Sequence, residues 1–318
     1  MLRTERAEEQ EGAAAVAHAE RRPPVFLVGP ARSGTSLLYK ALCLHPDAAY
    51  ISNWVARYPT SPRLAWLNRL ARRFPELRRR AWFGEDSNAY VYGTRRPLHV
   101  RLLPMPVEGE PVYAACGVPL QDDVSPERTV RQQEALRRAF ARIAAAGGGT
   151  VLVNKRIGNN RRIPFLASAF PDARFVAIVR DGRGVALSLS KVDWWEGSVL
   201  PWYGATPARW AADGRDPWEA CARNWVEDVR AMEDGLVGLP DSRVLRQSYE
   251  SFVDSPLDTL ERIAGFAGFG RDAEWERSLA RLTFPDRNDA WRSELDPATV
   301  ATITAVQRAT LEEYGYDV

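Results

Sequence analysis

The sequence predicts an α/β protein with a parallel sheet at its centre and helices on both faces. Three observations carry that reading. Residues 25–28, Val-Phe-Leu-Val, make an apolar run too short for a helix and suited to a strand buried on both faces. Similar short runs recur at 150–154, 175–179 and 242–247, with helix-like stretches between them. Lys155 and Arg180 stand at the ends of the second and third runs. In an open parallel sheet those strand ends face the ligand crevice.

The 318 residues, 45% hydrophobic and 26% charged, suit one large domain over 23–318 behind a polar tail at 1–22. A formal net charge of +2 excludes a nucleic-acid binder recognised by charge. Cys43, Cys116 and Cys221 are far apart and form no C-x-x-C pair, so they read as reduced thiols. The first 22 residues carry no apolar segment like that of a signal peptide, and no stretch approaches the roughly 20 apolar residues that span a bilayer. A soluble, cytoplasmic protein is expected.

The first strand ends at Gly29, and Gly29 to Gly34 has the spacing G-x-x-x-x-G ahead of a helix-like run. The backbone N–H groups of Ser33, Gly34, Thr35 and Ser36 then precede the helix's first hydrogen bond, at the positive end of its dipole. They form a cradle for a phosphate or a sulfonate. A nucleotide triphosphatase loop would carry Lys directly after the second glycine, where this chain has Thr35. The cation instead lies inside the loop, at Arg32, which argues against ATP with magnesium.

His45 and Pro46 mark a turn, with His45 structural. Residues 61–83 place Leu64, Trp66, Leu67, Leu70 and Phe74 among seven arginines at near-helical spacing, and Pro75 breaks or kinks that helix. The stretch reads either as a surface helix with a solvated arginine face or as a basic flap. Such a flap would attract an anionic substrate or make peripheral contact with a membrane. Residues 84–124 form a loop-rich insertion over the strand ends. A helix over 125–146 follows, burying Val130, Leu136, Phe140 and Ile143 and ended by the glycines at 147–149. A second, Trp-rich insertion spans 191–217. Within 191–225 fall six of the eleven tryptophans; Trp218 and Trp225 have helical spacing that suits a core. Trp194, Trp195 and Trp202 lie in a Gly- and Pro-containing loop, where they are expected to line a substrate pocket or its lid.

The string P-x-x-R-S-G-T-[ST] after a buried strand resembles the phosphosulfate-binding loop of sulfotransferases that use 3′-phosphoadenosine 5′-phosphosulfate (PAPS). Later segments extend the resemblance. A strand ends in a Lys at Lys155, and Phe170-Pro171-Asp172-Ala173 matches F-P-x-A. Arg180 to Ser188 matches R-D-x-R-x-x-x-x-S, and Tyr249-Glu250 matches the start of Y-E-D-L. The likeness implies a three-layer P-loop-like fold and sulfuryl transfer from PAPS to a hydroxyl or amine of a small-molecule, lipid or glycan acceptor, with release of PAP. By the same likeness Arg32 neutralises the leaving phosphate and Lys155 the sulfuryl oxygens, so no metal is required. Ser33, Gly34, Thr35 and Ser36 hold the phosphosulfate, Arg180 and Ser188 the 3′-phosphate, and Tyr249 packs near the adenine.

Two family features do not carry over. The R-K-G clamp of the cytosolic branch falls on Phe284, Pro285 and Asp286, leaving Arg287 or Arg292 as stand-ins. The general base of that branch, a His, falls on Ile157, and the Glu of the tyrosylprotein branch falls on Asn53. Glu85, Asp86, His99, Asp122 and Asp123 remain as candidates, with Asp86 or Glu85 preferred. A missing base also leaves open a catalytically silent PAP-binding protein, and the loop itself a P-loop kinase.

Overall fold

The computed structural model describes residues 22–84, 102–118 and 126–318. Its strands are β1 (Val25–Val28), β2 (Ala48–Ala49), β3 (Val151–Lys155), β4 (Arg174–Val179) and β5 (Val244–Ser248). They form one five-stranded sheet in the order β2-β3-β1-β4-β5, with every pairing parallel. Because all strands run the same way, the C-terminal ends of β1, β3 and β4 share one edge.

Central β1 is fully buried and feeds two cores. Phe26 and Val28 join Phe140, Phe175 and Trp225 on one face, while Val25 and Leu27 join Leu37, Leu38 and Trp82 on the other. Successive side chains of a strand point to opposite faces, so an unbroken apolar run is what a doubly covered strand needs. The first face is covered by helices Pro126–Gly147, Pro217–Leu236 and Pro297–Glu313, the second by Thr35–Cys43, Pro75–Phe83 and Pro256–Ala267.

The structure alters some local expectations. Lys155 is the last residue of β3, not the first beyond it. Val130 is 54% exposed, so it is not one of the buried positions of its helix. Within 84–124, a bridge between Ser52 and Pro106 and a short helix, Glu110–Ala115, give order to part of the insertion. The stretch 61–83 is not one helix. It divides into a 3-10 turn (Pro62–Ala65), a helix at Trp66–Ala71 and a second at Pro75–Phe83, with Pro75 opening the last. Its apolar face is also turned outward: Trp66, Leu70, Phe74 and Leu77 are exposed, whereas Arg78 and Arg79 are buried.

The reason lies at the sheet edge. Among the described residues β2 has a neighbour on one side only, and its surroundings present carbonyls that need donors. Arg72 donates to the carbonyls of Pro46 (2.7 Å) and Ala48 (2.5 Å), Asn68 to that of Tyr50 (3.0 Å), and Arg78 to that of Cys43 (2.6 Å). Hydrogen bonding thus decides which side of this segment faces inward. His45 has the expected structural part. Its Nε2 lies 2.9 Å from the Gly270 carbonyl, its Nδ1 accepts from the Asp47 N–H, and its ring stacks on Phe269.

One corner sets the position of the loop after β1. Gly29 has φ 154°, and a Cβ there would lie 2.2 Å from the Ile178 carbonyl oxygen on β4. No side chain fits. Asn160 clamps the same residue twice, its Oδ1 accepting from the Gly29 N–H (2.8 Å) and its Nδ2 donating to the Gly29 carbonyl (3.0 Å). Both Gly29 groups are buried, and stranding such a group costs about 1–3 kcal/mol. Asn160→Ala is therefore expected to lower unfolding free energy by about 2–4 kcal/mol in denaturant titration. Asn160→Asp, which keeps the acceptor and loses the donor, should fall between wild type and alanine.

Candidate functional site

Beyond Gly29 the loop turns through Arg32, whose φ of 68° is the one left-handed non-glycine conformation among the described residues. A side chain held there costs about 1–2 kcal/mol, a strain that tends to persist where geometry serves a site. Asp228 braces the loop from below. Its carboxylate accepts from Arg161 (2.6 Å) and Asn224 (3.2 Å) and from the N–H of Ala31, although burial still holds its pKa above the usual carboxylate range.

Helix Thr35–Cys43 follows, capped by Gly34 at φ 79°. A Cβ on Gly34 would meet the Tyr249 ring at 2.6 Å, so loop and ring are packed face to face. The helix's first bonds are donated by Leu37 and Leu38 to the Gly34 carbonyl, which leaves the N–H groups of Gly34, Thr35 and Ser36 ahead of it. Ser33 differs from expectation. Its N–H donates to the Pro30 carbonyl at 3.3 Å, because the loop closes a turn on itself before the helix begins. The Ser33 hydroxyl, by contrast, is buried with no hydrogen-bond partner among the described residues.

Three residues remote in sequence converge on this loop. The Arg32 Nε donates to Ser188 Oγ at 2.8 Å. Arg180 donates to the Arg32 carbonyl (3.3 Å), the Arg287 carbonyl (2.5 Å) and Asn288 Oδ1 (3.2 Å), and its guanidinium lies 4.6 Å from the Tyr249 ring centre. Arg180 does not pair with the neighbouring Asp181. That carboxylate is taken by Arg183 in a two-pronged bond (3.0 and 2.7 Å), which leaves Arg180 turned towards the loop.

Across the helix N-terminus stands Lys155. Its Nζ donates to Ser36 Oγ at 3.1 Å and pairs with the Glu108 carboxylate. The other Glu108 oxygen lies 3.7 Å from Arg156, which also pairs with Glu110. Burial pushes the Glu108 carboxyl up, but Lys155 and Arg156 more than offset it and hold it below its ordinary value. Glu108 is firmly seated. Asn154 on β3 donates to its carbonyl (3.2 Å), Val107 donates to Ile51 (3.0 Å), and Gly109, at φ 78°, lies against Ile51 where a Cβ would clash at 2.5 Å.

These groups border a cavity of about 710 Å³. Arg32, Gly34, Thr35, Ser36, Lys155 and Glu108 line it, together with Trp194, Trp195, Val199 and Leu200. Trp202 is not in the lining. It packs edge-on to Trp210 (5.5 Å) and donates to Asn224 (3.2 Å), which does line the cavity. Nor do Arg180, Ser188, Tyr249 and Arg287 line it: Arg180 and Tyr249 are buried, Ser188 is half-buried and Arg287 is exposed. Glu85, Asp86, His99, Asp122 and Asp123 lie outside the described residues. Among the described residues no cluster of His, Cys, Asp and Glu is placed to hold a metal ion.

Sequence reasoning passed over Glu108. It sits in Val107-Glu108-Gly109-Glu110-Pro111, with no spacing to any motif, and it meets Lys155 only through the fold.

A family model described as the sulfotransferase family matches residues 23–273. No curated protein matches the chain. Among solved structures, the sulfotransferase STF9 from Mycobacterium avium aligns at a TM-score of 0.57 and 17% identity over 93% of this chain and 78% of that one. STF1 from Mycobacterium tuberculosis H37Rv aligns at 0.55 and 16% over 91% and 76%. At these identities the structural likeness speaks for the fold, and the match to the family model, over more than half of the chain, decides membership. The chain belongs to the sulfotransferase family.

Proposed function

We propose that the chain moves the sulfuryl group of PAPS to the hydroxyl of a small acceptor with an apolar or aromatic body, releasing PAP. The observation that carries this reading is the cavity itself, lined both by a helix N-terminus with Arg32 and Lys155 and by Trp194 and Trp195. The first set suits the phosphosulfate, the second a flat apolar body.

The loop residues take defined parts. The N–H groups of Gly34, Thr35 and Ser36, with the Ser33 hydroxyl, hold the phosphosulfate. Arg32 neutralises the charge that grows on the leaving 5′-phosphate, and Lys155 meets the sulfuryl oxygens as charge spreads on to them. Arg180 and Ser188 receive the 3′-phosphate. For that, Arg180 exchanges its bonds to the Arg287 carbonyl and Asn288 for phosphate oxygens, which requires the chain around residue 287 to give way. Tyr249, packed on Gly34 and Arg180, borders the adenine. We assign residues 23–318 to one catalytic unit acting in the cytoplasm, in keeping with three free thiols, two of them buried. No helix among the described residues is long and apolar enough to cross a membrane.

A peripheral contact is also proposed. Trp66, Leu70, Phe74 and Leu77 are 42–54% exposed beside the exposed Arg63, Arg69 and Arg73, a pattern that suits an anionic bilayer surface. Co-sedimentation with vesicles containing phosphatidylglycerol should retain the protein at low salt and release it at high salt. The Trp66→Ala/Phe74→Ala variant should stay in the supernatant.

Purified protein given PAPS and a panel of phenols, aliphatic alcohols, amines and sugars should release PAP most readily with an apolar alcohol or phenol. Arg32→Ala should lower turnover about 100-fold or more. Tight PAP binding with no transfer to any acceptor would make the chain a silent PAP-binding protein, and binding of ATP but not PAP would make it a kinase. Trp194 is 45% exposed, so Trp194→Ala should leave thermal stability nearly unchanged. It should raise the acceptor KM about tenfold, the scale of losing one aromatic contact.

A further inference from the structure

The proposed sulfuryl transfer needs a group to take the acceptor's proton, and the positions that carry a base in related branches are Ile157 and Asn53 here. Resting on that reading of the site, we infer that Glu108 is the general base, and that Lys155 masks it until the donor draws the lysine away.

Among the described residues three carboxylates line the cavity: Glu108, Asp193 and Asp228. Asp228 is fully engaged with Arg161, Asn224 and the Ala31 N–H and supports the loop. Asp193 is exposed beside the tryptophans. Glu108 alone of the three touches Lys155, the cation that also reaches the helix N-terminus through Ser36. Lys155 therefore stands between the anion cradle and the carboxylate, in contact with both. In an in-line transfer the acceptor oxygen approaches sulfur from the side opposite the leaving phosphate. With the phosphate held at the loop, that side is the Glu108 side.

The balance of the step is simple. The acceptor oxygen forms a bond to sulfur and gives its proton to the Glu108 carboxylate. The bond between sulfur and the bridging oxygen breaks, and its electron pair leaves on the 5′-phosphate beside Arg32. Before the donor binds, the ammonium of Lys155 occupies Glu108 and weakens it as a base. When the phosphosulfate takes Lys155, the carboxylate loses its closest counter-charge and keeps the Ile157 N–H and the more distant Arg156, itself shared with Glu110. Burial then acts on Glu108 with less opposition, and its proton affinity rises. The other charged groups on the cavity, Arg32, Arg161 and Lys191, belong to the loop, to Asp228 and to Glu294. The base is thus uncovered only in the complex that needs it.

Glu108→Gln and Glu108→Asp, compared with wild type, test this by PAP binding, turnover and pH profile. With an aliphatic alcohol, Glu108→Gln should lose about 100-fold or more in turnover. It should bind PAP no more weakly than wild type, since the carboxylate that competes for Lys155 is gone. Glu108→Asp should restore part of the rate. The acidic limb of the wild-type rate profile should vanish in Glu108→Gln, and the deficit should shrink for an acidic nitrophenol, whose proton needs no strong base. A merely structural part for Glu108 would leave the deficit equal across acceptors, and that result overturns the inference. Full turnover in Glu108→Gln, loss of its PAP binding, or loss of turnover in Asp193→Asn alone does the same. Absence of transfer by wild type with every acceptor would instead refute the underlying sulfotransfer reading.

Discussion

Everything at the ligand edge depends on how closely β1 and β4 approach at Gly29. A backbone carbonyl, that of Ile178, occupies the space a side chain would need, and Asn160 ties both polar groups of the glycine. The loop therefore leaves the sheet in one direction. From there the left-handed turn at Arg32 becomes affordable, because the corner before it and the helix after it are both fixed. Strain at a single residue persists only where its surroundings over-determine it. Here Asn160, Asp228 and Tyr249 do so from three sides.

The second organising feature is charge arranged in series. Arg180, Arg32, Ser188, Lys155 and Glu108 form a band around the helix N-terminus, each held by a partner from a different part of the chain. Several of those partners are internal substitutes for an anion: the carbonyls on Arg180 and the carboxylate on Lys155. A strong cation left without acceptors in a buried site would be costly, so the protein supplies its own. Donor binding then works by exchange, and its net strength reflects the difference between the two sets of bonds.

Much of this was legible in one dimension. The four short strands, the loop and its displaced cation, Lys155 and Arg180 follow from local rules: apolar run length, glycine spacing and the residue at a strand end; Ser188 came only with the family resemblance. The failures have a common physical cause. The inward face of residues 61–83 was misread because its arginines bond the carbonyls around edge strand β2, a demand invisible to hydrophobic periodicity. Val130 was placed inside by the same periodicity, which does not say where along a long helix the partner surface ends. Trp202 was grouped with Trp194 and Trp195 by loop context, whereas its ring belongs to a separate aromatic cluster with Tyr203 and Trp210.

By itself the sequence determined four of the five strands, the family-like loop and the cations that face it, since each is written in contiguous residues whose backbone conformation follows from their neighbours; the edge strand β2, two residues long, was not among them. Tertiary structure alone decided what those cations touch. Glu108 and Lys155 are 47 positions apart, and Arg32 and Ser188 are 156 apart. No local preference relates such pairs. They meet because parallel strands bring all their C-terminal ends to one edge, so that segments far apart in the chain share a single crevice.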